Sequence, residues 1–374
     1  MIPFNKPFLV GKETQYIEEA VLSGKISGNG IFTKKCHTFF EKEYHLKKAL
    51  LTTSCTDALE MAAILLNIGP GDEVIVPSYT FVSSALAFVR QGAKIVFADS
   101  RDDHPGINES KIEELVTPRT KAIVVVHYAG VACDMDIVMK VAEKHGIFVV
   151  EDAAQAIDSF YKGKPLGGFG HIGAFSFHET KNIISGEGGL LTINDDNLTS
   201  RSEIIWEKGT NRAAFFKGEV DKYGWVDTGS SFLPSELVAA FLYAQLERLS
   251  EIQEKRKSIW KAYYSELLTL ETQGKIKLPF IPDYATNNAH MFYIVVQNIA
   301  QRDRMISHLK TKGVHAVFHY LSLHKSKFYL QDNEYKELKN ADKFSDCLIR
   351  LPFFFELEQM QLGYIIQQVK SFYH

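Results

Sequence analysis

A single lysine sits where an apolar run gives way to a polar loop. In Gly173-Ala-Phe-Ser-Phe-His-Glu-Thr-Lys-Asn-Ile-Ile-Ser-Gly-Glu-Gly-Gly189 the run Ala174 to Phe177 leads into Lys181, and a glycine-rich turn returns the chain to a second run, Leu190 to Ile193. A lone loop lysine is ordinarily a solvated surface charge. Here Phe175 and Phe177 would desolvate one side, while Ser176, His178, Thr180 and Glu187 crowd it with polar groups. A desolvated ammonium loses pKa, and a lysine that sheds its proton near neutrality can form a Schiff base with a carbonyl.

A carbonyl cofactor has further needs, and the chain offers candidates for them. Asp152 and Gln155 follow directly on the apolar run Gly146 to Val150. A carboxylate there is often a structural acceptor. Beside a pyridine nitrogen it would keep that nitrogen protonated and make the ring an electron sink, as pyridoxal phosphate (PLP) chemistry requires, and Gln155 would donate to the ring's phenolic oxygen. Thr52-Thr-Ser-Cys-Thr-Asp-Ala-Leu-Glu-Met61 switches from a hydroxyl-rich loop to a helix. The free amides at such an N-terminus favour an anion, although a plain Ser/Thr cap has the same appearance. Ser176 would add a hydroxyl, and Phe81 an aromatic face.

The elements that must position these residues follow from periodicity. Glu73 to Pro77, Lys94 to Ala98, Lys121 to Val126 and Gly146 to Val150 are short β-branched runs, expected as strands of a parallel sheet buried on both faces. Ser110 to Val116 and Asp136 to His145 have helical spacing, the second capped by Gly146, and Thr14 to Leu22 and Phe39 to Tyr44 are further expected helices. Ser27-Gly-Asn-Gly30 is turn chemistry. Ligands of such sheets bind beyond the carboxyl ends of the strands, which is where Ser78 to Phe81, His127-Tyr128 and Glu151 to Gln155 fall. Ser235 to Glu271 is expected as one or two long helices with Ser235 as N-cap, and the domain boundary is expected along it, near residue 250. Beyond it, His290 to Val296, Arg302 to Lys312 and Gln359 to Phe372 predict a smaller α/β domain.

Composition narrows the function classes. The 374 residues carry 45% hydrophobic and 23% charged side chains and a formal net charge of -3, an ordinary globular balance without a nucleic-acid footprint. No apolar run approaches the roughly 20 residues needed to cross a membrane, and Met1-Ile-Pro-Phe-Asn-Lys6 lacks the order of a signal peptide, so a cytoplasmic protein is expected. Cys36, Cys55, Cys133 and Cys347 show no CxxC spacing and the histidines no HExxH pair, so neither disulfides nor a metal site is expected. Gly168-Phe-Gly-His-Ile-Gly173 matches GxGxxG literally. It follows a loop and leads into a strand, however, the reverse of the dinucleotide-binding context, and is expected as a turn.

Glu151-Asp-Ala-Ala-Gln155, Phe175-Ser-Phe-His-Glu-Thr-Lys181 and Gly186-Glu-Gly-Gly189 resemble the motifs of the DegT/DnrJ/EryC1/StrS family of PLP-dependent sugar aminotransferases, and the likeness runs over essentially the whole chain. The resemblance implies the fold type I (aspartate aminotransferase-like) α/β architecture. Its parts would be a large PLP-binding domain with a mainly parallel seven-stranded sheet over residues 1–250 and a smaller domain over 251–374. It implies Lys181 as the covalent holder of PLP, Asp152 on the pyridine nitrogen, Gln155 on the phenolic oxygen, Phe81 on the ring face, and Ser176 with the Thr56 and Asp57 amides on the phosphate. His127, Tyr128, His319 and Tyr320 would lie near the sugar. It further implies a homodimer with active sites at the interface. Many members have an Asn in a Gly-Tyr-Asn-Tyr-Arg stretch that reaches the partner's phosphate; this chain has Gly229-Ser-Ser-Phe-Leu233, which leaves Ser231 in that place.

Within the family, Pro77 to Val82, Val126 to Ala132, Glu207 to Arg212, Ala289 to Tyr293, Phe318 to Tyr320 and His324 are most similar to members that use L-glutamate to aminate C4 of TDP-4-keto-6-deoxy-D-glucose. Those members give TDP-4-amino-4,6-dideoxy-D-galactose for surface polysaccharides such as lipopolysaccharide and enterobacterial common antigen. The gluco epimer, amination of a 3-keto sugar, and a catalytically silent binding protein on the same fold are the alternatives. A sugar dehydratase would carry His in place of Lys181.

Overall fold

The computed structural model describes residues 1–373. Seven strands, β1 (Lys48–Thr52), β2 (Glu73–Pro77), β3 (Lys94–Ala98), β4 (Thr120–Val126), β5 (Phe148–Asp152), β6 (Ile172–Ser176) and β7 (Gly189–Ile193), form one sheet in the order β1-β7-β6-β5-β4-β2-β3. The pairs among β2 to β6 are all parallel, and β7 alone runs against its neighbours, β1 and β6. Successive side chains of a strand face opposite ways, and the core divides accordingly. Val74, Ala122 and Val124 belong to one apolar cluster, Ile75, Ile123 and Val125 to the other. Burial on both faces is why these runs lack polar alternation.

Around the sheet lie α1 (Glu13–Leu22), α2 (Ile31–Glu43), α3 (Cys55–Leu65), α4 (Ser83–Val89), α5 (Met135–His145), α6 (Asp196–Trp206), the short α7 (Arg212–Phe216) and α8 (Glu236–Leu246). Then α9 (Leu249–Thr272) leads to a C-terminal lobe with α10 (Ile299–Thr311), α11 (Lys339–Cys347), α12 (Gln359–Ser371) and an antiparallel pair, β8 (Tyr293–Val295) and β9 (Leu348–Arg350). The chain's first residues join this lobe: Ile2 bridges Val314, and the Phe353 amide donates to the Phe4 carbonyl. None of the helices among the described residues is long and apolar enough to cross a membrane.

Several local expectations need correction. Ser110 to Val116 is not a helix but two 3-10 turns, Glu109–Lys111 and Glu113–Leu115. The Glu109 side chain turns inward to accept the Asp134 amide at 2.8 Å, and Pro118 bars continuation. Helix α2 begins at Ile31, not near Phe39, because the buried carboxylate of Glu236 on α8 accepts the Gly30, Phe32 and Thr33 amides and caps it from a distance. Ser235 does occupy the expected N-cap position, though without a side-chain cap bond, and the stretch it opens is the second of the two forms expected, a pair of helices, α8 and α9. Of His290 to Val296 only Tyr293–Val295 pairs as strand, since Ala289 enters it at φ 51°. Gly146 caps α5 as expected, at φ 62°.

Among the imidazoles that serve as backbone acceptors are His37 for the Leu51 amide, His104 for Gly106 and His171 for Val149. Protonation would destroy each bond. Burial pushes the His37 imidazole down to about 3 and that of His104 to about 4. The unfolded chain therefore takes up these protons first as pH falls below about 6.5, and stability present above that pH is lost on acidification, by about 2 kcal/mol per group at pH 5. The melting temperature should be lower at pH 5 than at pH 7.5. His37→Gln, whose amide oxygen accepts without titrating in that range, should flatten part of the slope. An equal or higher melting temperature at pH 5 would contradict this account.

Candidate active site

The carboxyl ends of β4 and β5 are level, Val126 paired with Asp152, and β6 pairs with that end through Ala174 and runs two residues further to Ser176. At that edge a cavity of about 750 Å³ opens, lined among others by Thr56, Phe81, Asp152, Gln155, Ser176, Lys181, His319 and Tyr320. Lys181 is carried on a loop closed by bonds from the Phe177 amide to the Gly188 carbonyl and from Ser185 to Phe177. Burial lowers the pKa of its amine, Cys55 and Asp152 oppose that, and the nearby Arg350 cation adds to it. The result is the partly desolvated amine that nucleophilic chemistry needs.

Asp152 ends β5 and is 5% exposed. One carboxylate oxygen accepts the Ser84 hydroxyl at 2.6 Å and the other the Ala154 amide at 3.1 Å. Gln155 is oriented by its neighbours: its oxygen accepts the Ala129 amide at 2.6 Å, so its nitrogen is the donor, 3.0 Å from the Tyr320 hydroxyl. Ser176 ends β6, and Phe81 stands 55% exposed with its ring 6.1 Å from that of Tyr320. The N-terminus of α3 opens on the same cavity through Cys55 and Thr56. Gly189 lies so close beneath it that an added Cβ would stand 2.4 Å from the Ser54 carbonyl.

Four of the expected residues lie elsewhere. Asp57 does not line the cavity, because its amide is taken by the Ser54 hydroxyl at 3.0 Å in an ordinary helix cap and its carboxylate by Thr53. His127 is fully buried, its Nε2 3.0 Å from Glu151 and its Nδ1 accepting the Cys133 amide. Tyr128 is 1% exposed and reaches the site only through its hydroxyl, 2.7 Å from Nδ1 of His319, whose ring stacks 3.5 Å from Tyr320. Ser231 is exposed in a separate depression with Lys25, Lys208 and Arg212.

Glu151 explains both the displacement of His127 and the false glycine motif. It points opposite to Asp152 and accepts the Gly167, Phe169 and Gly170 amides, so the glycine turn wraps a carboxylate. Burial alone would raise this carboxyl. The bond from His127 and those amides outweigh it and hold the group below its ordinary value.

The cavity also holds two charged or titratable side chains from the C-terminal part of the chain that the expected set did not include. Arg350 ends β9 with its guanidinium 4.5 Å above the Phe4 ring and no hydrogen bond through Nε. Burial pushes its pKa down. A charge inside the apolar run Leu348 to Phe355 was the available signal. His290 also lines the cavity, 8% exposed.

Residues 8–370 match the model of the DegT/DnrJ/EryC1/StrS aminotransferase family. The spore coat polysaccharide biosynthesis protein SpsC of Bacillus subtilis is 33% identical, with 99% of this chain and 96% of that protein covered. GDP-perosamine synthase of Escherichia coli O157:H7 is 32% identical over 100% of this chain and 98% of its own. Among solved structures, Spr1654 from Streptococcus pneumoniae in its PLP form superposes with a TM-score of 0.91 at 26% identity, covering 99% of this chain and 98% of that one.

PLP is the cofactor, and the residues present suit it. The cavity offers an amine at Lys181, a carboxylate at Asp152, and a helix N-terminus approached by a glycine where an anion would sit.

Proposed function

The chain belongs to the DegT/DnrJ/EryC1/StrS aminotransferase family, and on that premise we propose that it transfers the amino group of L-glutamate to C4 of TDP-4-keto-6-deoxy-D-glucose. The product would be TDP-4-amino-4,6-dideoxy-D-galactose, used for surface polysaccharide. The observation that carries the transamination is the opening of the Lys181 amine and the Asp152 carboxylate into one cavity. Lys181 binds the cofactor and moves the proton at the glutamate α-carbon and, in the second half-reaction, at C4 of the sugar. Asp152 holds the pyridine nitrogen protonated, Gln155 donates to the phenolic oxygen, Phe81 covers the ring, and Ser176 with the amides at the start of α3 holds the phosphate. PLP, when bound, supplies the electron sink that makes the α-carbon acidic. His319 and Tyr320 face the sugar. Arg350, a half-buried cation lining the same cavity as Lys181, binds the glutamate carboxylate.

The same proposal includes a division near residue 250 into a PLP-binding and a smaller domain, and a homodimer. In support of the homodimer, Phe216 and Tyr223 are 71% and 54% exposed in the depression that holds Ser231. Ser231 would meet the phosphate held by the other copy. The relation to GDP-perosamine synthase favours a second reading, the same chemistry on a GDP-linked sugar. Competing TDP- and GDP-4-keto-6-deoxy sugars against one another with the glutamate-reduced enzyme decides between them. At least about a tenfold preference in kcat/KM for the TDP sugar is expected, and an equal or reversed preference would move the substrate to GDP.

A further inference from the structure

The polar groups behind Lys181 form a hydrogen-bond chain whose direction is determined throughout. The Asp158 carboxylate, held by Lys257 at 2.9 Å, can only accept, so the Gln253 nitrogen 3.2 Å away donates to it. The Gln253 oxygen then accepts the Asn182 nitrogen at 2.8 Å, and that nitrogen also donates to the Asn288 carbonyl at 2.9 Å. The Asn182 oxygen must therefore face Nδ1 of His290, 2.8 Å away, and Nδ1 must carry the proton. Nε2 is left as an acceptor on a residue that lines the cavity. Arg256 fixes the ring's backbone by donating to the Ala289 carbonyl at 3.1 Å and the His290 carbonyl at 2.6 Å, and the His290 amide donates to Asn288 at 3.0 Å.

The surroundings choose the ligand group. Burial holds the His290 imidazole neutral, well below its ordinary value, and Lys181, Arg256 and Arg350 all press in the same direction. So weak a base does not take a proton from an ammonium, and an ammonium there would meet three cations. A neutral hydroxyl meets no such opposition. We propose that Nε2 of His290 accepts a hydrogen bond from a hydroxyl of the bound sugar, making His290 a specificity residue of the sugar half-reaction, oriented by the chain from Asp158. This rests on the nucleotide-sugar reading above.

Holoenzyme labelled with 15N-histidine, its His290 signals identified by their loss in His290→Gln, tests the tautomer without turnover. Nδ1 should be protonated and Nε2 unprotonated between pH 6 and 8, and adding TDP-4-keto-6-deoxyglucose without glutamate should move the Nε2 resonance upfield. A protonated Nε2, or one indifferent to a sugar that the enzyme does turn over, overturns the proposal. In single-turnover kinetics His290→Leu should slow the sugar half-reaction by roughly 10- to 100-fold, far more than the glutamate half-reaction. Equal slowing of both, or of neither, also overturns it. A wild-type enzyme that reacts with glutamate but not with the sugar would sink the substrate reading instead, and the tautomer would still decide the acceptor claim.

Discussion

Lys181→Ala should lower transamination by at least about four orders of magnitude, because one substitution removes both the nucleophile and the group that moves the proton. The groups buried around it are poor substitutes. His290 is a poor base by burial and surrounding charge, the Tyr320 hydroxyl is pushed well above its ordinary value, and Arg350, although burial lowers its pKa, is a guanidinium, which keeps its proton in proteins. The variant should still fold, since Lys181 is partly exposed in a loop whose closing bonds are made by other residues. PLP should remain bound, with its absorbance moved to that of the unattached cofactor. Stopped-flow absorbance with glutamate gives the rate. A loss of less than about tenfold would assign the proton transfer to another residue.

Asp152→Asn should cost about two to three orders of magnitude in turnover, the range for losing one preorganised electrostatic partner. The substitution preserves shape: an amide oxygen still accepts from the Ala154 amide or the Ser84 hydroxyl, the two groups that orient the native side chain. What disappears is the negative charge that keeps a ring nitrogen protonated. The loss should therefore fall on both half-reactions, each of which draws on the same electron sink, with the melting temperature nearly unchanged. Activity within about threefold of wild type would mean that Asp152 is a structural acceptor only.

Much of this site was legible because parallel strands buried on both faces read as unbroken apolar runs. Asp152 could be placed at a strand end and Lys181 just beyond one, and so on one edge, before their neighbours were known. Side-chain direction was less legible. His127 also follows a strand, yet the pairing of its ring with Glu151 turns it behind the sheet, and nothing in its own segment announces that partner. At Asp57 the local cap matters, since Ser54 caps α3 and its hydroxyl engages the amide assigned to an anion. The start of α2 depends on Glu236, far along the chain, and periodicity cannot register a cap supplied from there. Arg350 and His290 lie outside the motifs at the sheet edge. Their part in the cavity arises when the C-terminal lobe folds over that edge, a tertiary event that strand and helix spacing does not encode.

The most direct test of the central claim is NMR of the product formed from TDP-4-keto-6-deoxyglucose and [15N]glutamate by the PLP-loaded enzyme. The nitrogen should appear on C4 with a small coupling between H3 and H4, the mark of an axial amine and the galacto product. Nitrogen on C3, a large H3–H4 coupling, or an unchanged ketone would contradict the assignment.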